Sequence, residues 1–195
     1  MYAGHFDFAV PMLQRIPALY SPDECAAIVA SLGDSEWLAA TINTAQGRAV
    51  NEAVRNSLTA IVRDGALVHQ LWARIQPHLP PSMSAEWGGS RATVRPIGLF
   101  EPLRIYRYEV GHHFGVHSDQ SYARGETRSL LTLMVYLDED FDGGATTFTE
   151  LGETVVPRTG DALWFQHAVL HAGSMVTRGT KHVMRTDVLF GHERT

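Results

Sequence analysis

The sequence predicts an α+β protein, with a β-sandwich or jelly roll in its C-terminal half and the helices of its N-terminal half packed on the outside of that core. Three observations predict it. Apolar spacing of helical type, with recognisable starts and stops, is confined to the residues before about 100. After that point come many short runs of β-forming residues. Glycine and proline punctuate those runs, at Gly111, Gly143-Gly144, Gly152, Pro157, Gly160, Gly173 and Gly179.

Taken in order, Ser21-Pro22-Asp23-Glu24 is a helix start: Ser21 as N-cap, Pro22 at the first helical position, acids in the first turn. Ala26, Ile28, Val29 and Leu32 follow at helical spacing, and Gly33 is the expected stop. A second helix is expected from Asn51 to Arg63. A third is expected from Ala66 to His78, with Leu67, Leu71, Trp72 and Ile75 on one face, ending before Pro80-Pro81. The expected strands are Leu103 to Tyr108, Ser129 to Leu137 (apolar enough for burial on both faces), Thr146 to Phe148, Glu153 to Val156, Asp161 to Phe165 and His182 to Phe190. The reading is one domain over 1–195, with 1–100 as mainly helical support and 101–195 as the jelly-roll core.

The bulk numbers narrow the function. A chain of 195 residues that is 45% hydrophobic and 19% charged has a normal globular balance. Its net charge of −5 argues against a nucleic-acid binder, which needs a basic face. Cys25 is the only cysteine, which excludes an internal disulfide or a cysteine zinc cage and favours a reducing compartment. The segment Met1-Tyr2-Ala3-Gly4-His5-Phe6-Asp7 lacks a basic stretch followed by an apolar run, so no secretory signal is expected. No run of about 18 apolar residues exists, so no membrane helix is expected, and the expected location is the cytoplasm. Fifteen arginines accompany a single lysine, Lys181. Base composition is the simple explanation for the general bias.

Ten histidines make any one of them uninformative. Their arrangement is not. His117-Ser118-Asp119 places two potential ligands two residues apart, and on a strand or its extended end such residues point to one face. His171 lies far along the chain in another β-rich stretch. Two histidines and a carboxylate on one face of an octahedral metal leave three positions open, the facial arrangement of non-haem Fe(II) oxygenases. His167, four residues before His171, competes for the third place. His112 and His113 are adjacent and point to opposite sides of an extended chain, so both read as loop or hydrogen-bonding residues.

The segment from Tyr108 through Gly111 and Phe114 to His117-Ser118-Asp119 resembles the entry strand of the prolyl 4-hydroxylase-like Fe(II)/2-oxoglutarate-dependent dioxygenases. Val135-Tyr136-Leu137-Asp138, Gly143-Gly144-Ala145-Thr146-Thr147-Phe148, Pro157 to Leu163, Leu170-His171-Ala172-Gly173 and Gly179-Thr180-Lys181 resemble that family's later blocks, in order. The resemblance covers about residues 103 to 191. Where the family writes Gly-Gly-Glu-Thr, this chain has Gly143-Gly144-Ala145-Thr146. The resemblance implies a double-stranded β-helix (jelly-roll) core. It implies Fe(II) held by His117, Asp119 and His171, and it selects His171 over His167 by the Leu-His-x-Gly block and the ten residues to Lys181, which leaves His167 as a residue that supports the site from behind or a structural histidine. It also implies 2-oxoglutarate and O₂ as cosubstrates, and it allows ascorbate as an accessory reductant. Related iron halogenases lack the carboxylate, so Asp119 points to hydroxylation.

One carboxylate of 2-oxoglutarate needs a buried cation, because an unpaired carboxylate in a barrel is costly. Lys181 matches the family's lysine for this task. Arg185 is the rival, since it shares a strand face with Lys181 by period two. Tyr108 matches a family tyrosine that helps bind the cosubstrate. Tyr136 is either a second such group or core packing. Arg104 and Tyr106 alternate onto the face of Tyr108 and are candidates for the substrate cavity. The resemblance implies hydroxylation of an unactivated C–H bond with succinate and CO₂ as coproducts. The substrate is a small metabolite, an amino acid or a peptide side chain; no residue indicates proline. Nucleic-acid and membrane partners are not expected, and oligomeric state is open. Two other readings remain: a metal-dependent enzyme on a similar barrel that does not use 2-oxoglutarate, and a non-catalytic β-sandwich binding module.

Overall fold

Alternation of side chains along three long strands organises the molecule. A computed structural model of the chain describes residues 6–33, 35–44, 47–87 and 89–192. The first five residues of the expected non-signal N-terminus lie outside the described residues. Leu103–Tyr108, Thr127–Tyr136 and Lys181–Gly191 lie side by side, all antiparallel. Leu103, Ile105, Leu133, Val135, Met184 and Val188 project to one face and join the larger apolar cluster. Their neighbours in sequence project to the other face, so a period of two separates core from site.

These strands belong to a ten-stranded sheet. Its path runs Leu13–Ile16, Ala162–Gln166, Thr127–Tyr136, Lys181–Gly191, Leu103–Tyr108, Leu58–Val62 and Leu38–Ala39, with Ala123–Arg124, Met83–Trp87 and Ser90–Leu99 attached beside it. A four-stranded sheet runs Glu153–Val155, Thr146–Phe148, His171–Gly173 and Phe114–His117. Between the two sheets sits a smaller cluster that includes Tyr136, Phe148, Leu163, Phe165 and Val183. Phe141–Gly143 pairs with Val176–Gly179, and Ile42–Thr44 with Gly47–Ala49. The fold is mostly β with few helices.

The helix Pro22–Ser31 starts as its sequence demands: Ser21 Oγ accepts from Glu24 N, and Ser21 N donates back to Glu24 Oε2, a reciprocal box. Its buried face is Cys25, Ile28 and Leu32, while Ala26 is exposed. The helix Gly65–Ile75 is capped by Asp64, which accepts from Ala66 N and Leu67 N, and continues as a 3₁₀ turn Gln76–His78. It buries Val68, Leu71 and Ile75 in the same cluster as Leu133 and Ile105.

The expected helix Asn51–Arg63 does not form. Residues 51–55 are a bridged turn and Leu58–Val62 is a strand. The strand pairs over its full length with Leu103–Tyr108, and that pairing outweighs a weak local helical preference. The first hundred residues are therefore not mainly helical: they also contain Ile42–Thr44, Gly47–Ala49, Met83–Trp87 and the ten-residue strand Ser90–Leu99. The strands expected after residue 100 are all present within one or two residues of their expected bounds. Among the described residues no helix is long and apolar enough to cross a membrane.

Gly160 locks this arrangement. It has φ +84°, its N–H donates to Tyr136 O at 2.8 Å, and its carbonyl accepts from Tyr20 N at 3.2 Å. A Cβ there would lie 1.9 Å from Tyr20 O. Gly160→Ala should lower unfolding stability by about 2 kcal/mol or more in a denaturant titration. A loss under about 0.5 kcal/mol, the scale of a surface change, would contradict this account of the turn.

Candidate metal centre and adjoining pocket

Strand pairing brings the two histidines together. His117 ends Phe114–His117, His171 opens His171–Gly173, and the two residues are direct antiparallel partners. Asp119 lies beyond the strand end, in the following loop, where its backbone N–H donates to His167 O at 2.9 Å. The loop, rather than strand periodicity, turns its carboxylate toward the imidazoles. Asp119 Oδ1 is 3.9 Å from His117 Nε2 and Oδ2 is 3.8 Å from His171 Nε2. The three groups offer one ligand atom each, all within 4.8 Å of one another.

The second nitrogen of each ring is already committed. His117 Nδ1 meets Gly115 O at 2.8 Å and His171 Nδ1 meets Val169 O at 3.0 Å. A carbonyl only accepts, so each Nδ1 carries the proton and each Nε2 presents a lone pair to the shared centre. Burial, with His171 next, pushes His117 down to about 4. Burial likewise pushes His171 down. Burial alone would raise Asp119, but Arg185 and the neighbouring histidines outweigh it and hold the carboxyl below its usual range. Two neutral imidazoles and one carboxylate are the donor set of a divalent transition metal, and they fit Fe(II).

Asp119 is held from behind. Thr132 Oγ donates to Asp119 Oδ2 at 2.5 Å, and Arg185 Nη2 lies 3.1 Å from the same oxygen. Since that hydroxyl proton is spent, Thr132 accepts from His167 Nδ1 at 2.9 Å. His167 Nε2 then accepts from Ser129 Oγ at 3.0 Å. Both ring nitrogens of His167 are used in buried hydrogen bonds, so it supports Asp119 and does not join the cluster. His112 Nδ1 accepts from Glu109 N, and His113 bonds to Asn56 and Ala53 O.

A cavity of about 470 Å³ opens beside the three groups. Lys181 enters it from the strand paired with Tyr108, only 3% exposed. Its ammonium donates to Gly144 O at 2.5 Å and lies over the rings of Tyr108 and Tyr136, at 5.3 and 5.4 Å. No carboxylate is paired with it among the described residues. Burial pulls its pKa down to about 7, opposed weakly by Asp138. Arg185 is committed elsewhere, between Asp119 and Asp187, with Asp187 Oδ1 at 3.0 Å. Tyr108 lines the cavity. Tyr136 stands behind Thr146, its hydroxyl bonded to Thr146 Oγ at 2.7 Å, and Thr146 is the group that faces the space.

Sequence reasoning missed Thr132, Thr146 and Arg55. Thr132 and Thr146 are hydroxyls at inward positions of apolar strands, which was a legible signal. Arg55 was hidden by the expected helix.

Residues 103–186 match the family model of the 2OG-Fe(II) oxygenase superfamily. A provisionally named prolyl 4-hydroxylase of Acanthamoeba polyphaga mimivirus is 32% identical over 108 residues, which is 45% of this chain and 44% of that one. A PKHD-type hydroxylase of Beijerinckia indica is 29% identical over 183 residues, covering 87% of this chain and 75% of its own. The chain thus spans under half of the first relative and three quarters of the second. The crystal structure of a Pseudomonas putida prolyl-4-hydroxylase has a similar fold, with a TM-score of 0.65 at 18% identity over 95% of this chain and 97% of that one.

Thr132→Val keeps the shape and removes the hydroxyl that faces Asp119. It should weaken Fe(II) affinity about tenfold in an anaerobic metal titration. An unchanged affinity would mean that Thr132 does not position the carboxylate.

Proposed function

We propose that the chain is a member of the 2OG-Fe(II) oxygenase superfamily, whose model its residues 103–186 match, and that it hydroxylates an unactivated C–H bond of a small acceptor, turning 2-oxoglutarate and O₂ into succinate and CO₂. The observation that carries the reading is Lys181: a buried ammonium with no carboxylate partner among the described residues, in the same cavity as His117, Asp119 and His171. A buried charge left alone costs several kcal/mol, so such a group implies an anion that arrives from outside.

In this reading His117, Asp119 and His171 hold Fe(II), and Lys181 and Tyr108 receive the distal carboxylate of 2-oxoglutarate, with Thr146 and Tyr136 beside them. The bound metal and keto-acid supply the redox chemistry that activates O₂. The chain supplies the frame. The backbone carbonyls of Gly115 and Val169 fix the imidazole tautomers. Arg185 keeps Asp119 ionised and Thr132 fixes its rotation. Met134, Phe114 and Val183 line the space with apolar surface that excludes water. We read the two facing sheets as a double-stranded β-helix, or jelly roll, with both helices on its outer side, the whole of 1–195 as one oxygenase domain, and its location as cytoplasmic. The names of the relatives include prolyl hydroxylases; no residue in this cavity selects proline.

His117→Ala and Asp119→Ala should abolish Fe(II)-dependent succinate formation. Lys181→Ala should weaken 2-oxoglutarate binding about thirtyfold or more, measured anaerobically by calorimetry. An unchanged affinity would remove Lys181 from the assignment. The pH dependence has a definite sign. With a pKa of about 7, Lys181 is charged below that pH and neutral above it. An arriving carboxylate needs the charged form, so binding above about pH 7 takes up a proton. Affinity for 2-oxoglutarate should therefore fall as pH rises from about 7 to 9, approaching tenfold per unit. Lys181→Arg, charged throughout, should flatten the fall.

A further inference from the structure

Charge in the cavity does not balance around the cosubstrate alone. Four cationic side chains line it, Arg55, Arg104, Lys181 and Arg185, against two carboxylates, Asp119 and Asp187. The two histidines each place their ring proton on Nδ1, against Gly115 O and Val169 O, and offer Nε2 to the shared centre, so they add no charge to the count as ligands. A divalent metal and a dicarboxylate bring equal and opposite charge, so they leave the surplus of two positive charges where it was. Arg185 is neutralised by Asp119 and Asp187, and Lys181 is the group that meets 2-oxoglutarate. The surplus therefore resides on Arg55 and Arg104.

Neither has a carboxylate partner among the described residues. Arg55 is 6% exposed, donates from Nε to Ser57 Oγ at 3.0 Å, and lies between two rings, 4.1 Å from Tyr106 and 4.3 Å from Phe114. Arg104 lies 5.7 Å from the ring of Phe100, its one side-chain contact of this kind among the described residues. Both stand close to the metal centre. Phe114 stacks on His117 at 3.5 Å and 18°, so one ring separates Arg55 from a metal ligand. Arg104 faces Arg185 directly across the strand pair, and Arg185 touches Asp119. Like charges opposite one another on a sheet face repel, which an anion between them and the cavity would relieve. Burial would raise the Tyr106 phenol, yet Arg55, Arg185 and Arg104 together hold it below its ordinary value, a mark of the positive potential on this wall.

We infer that the substrate carries an oxyanion, a carboxylate or a phosphate, and that Arg55 and Arg104 bind it. This rests on the oxygenase reading and names the substrate class for it. Planar guanidinium forks match the oxygens of either group in pairs. The cavity volume of about 470 Å³ fits a small acid. Arg55 is buried and packs closely on Phe114, whereas Arg104 is only half-buried and its ring contact with Phe100 is longer, so Arg104 carries the test.

The experiment is anaerobic calorimetry on the protein loaded with Fe(II) and saturating 2-oxoglutarate. The probes are small carboxylic acids paired with their carboxamides, and phosphate monoesters paired with their alcohols. At least one acid should bind about tenfold or more tighter than its neutral partner. The arm in which it does so distinguishes carboxylate from phosphate. Arg104→Gln should reduce that discrimination to less than about twofold, and Arg55→Gln should do the same where it folds. A panel in which no acid exceeds its neutral partner overturns the inference, as does discrimination that survives Arg104→Gln. Each variant is also titrated with 2-oxoglutarate alone. An equal loss there would assign the two guanidiniums to the cosubstrate and overturn the inference too. Failure of the oxygenase reading shows separately, as wild-type protein that takes up no 2-oxoglutarate with Fe(II), and the inference falls with it.

Discussion

The register of the Lys181–Gly191 strand is the constraint on which the rest depends. Its even members, Met184, Val188 and Phe190, are buried in the apolar cluster beside the helices. Its odd members, Lys181, Arg185 and Asp187, face the cavity. A slip of one residue against either neighbour would exchange the two sets. Three charges would enter a dry cluster, at several kcal/mol each, and apolar side chains would line the site. Both faces therefore specify the same register, and the site is built by the energetics that build the core. The neighbouring strands obey the same rule: Leu103 and Ile105 go to the core while Arg104, Tyr106 and Tyr108 go to the cavity.

On that scaffold the charges divide by chemistry. Arginine does the permanent work. Arg185 spans Asp119 and Asp187, and a guanidinium that never deprotonates keeps the ligand carboxylate ionised at every physiological pH. Lysine does the adjustable work. Lys181 has lost solvent without gaining a counterion, so its charge is poorly supported until an anion enters. That a chain with fifteen arginines keeps its single lysine here is consistent with the need for a compact cation in a narrow space. The hydroxyls complete the division, with Thr132 committed to Asp119 and Thr146 to the cavity side of Tyr136.

Legibility followed sequence separation. Helix caps are local, and Ser21 read correctly at its helix start because cap and N–H lie within three residues. Six strands after residue 100 were legible from alternation and glycine spacing, whereas the short ones, Phe114–His117 and His171–Gly173 among them, are too brief to show a period and were not expected. The three clustered groups were legible by position, but the mechanism differs: Asp119 reaches the centre through a loop, not through the period of its strand. Leu58–Val62 was misread because its partner, Leu103–Tyr108, lies some forty residues away and no local signal reports it. His167 was expected as a supporting or structural histidine, but its partners were not legible, since Thr132 and Ser129 arrive from another strand.

That misreading bears on how the site is divided. The matched family stretch, 103–186, contains His117, Asp119, His171, Lys181 and Tyr108, the groups to which the proposed function gives the metal and the cosubstrate. The opposite wall is partly built from outside it. Thr41, Ile42, Val54 and Arg55 reach the cavity from the segment expected to be helical support. Had 51–63 been a helix, the Asn51–Arg55 turn could not bridge to Phe114, and Arg55 could not lie over the ring that stacks on His117. The N-terminal half is thus a structural component of the site. Of the two arginines proposed to meet the acceptor, Arg104 lies inside the matched stretch and Arg55 outside it. Similarity over 103–186 therefore carries no information about Arg55, whose place beside Phe114 depends on the turn and strand that replace the expected helix.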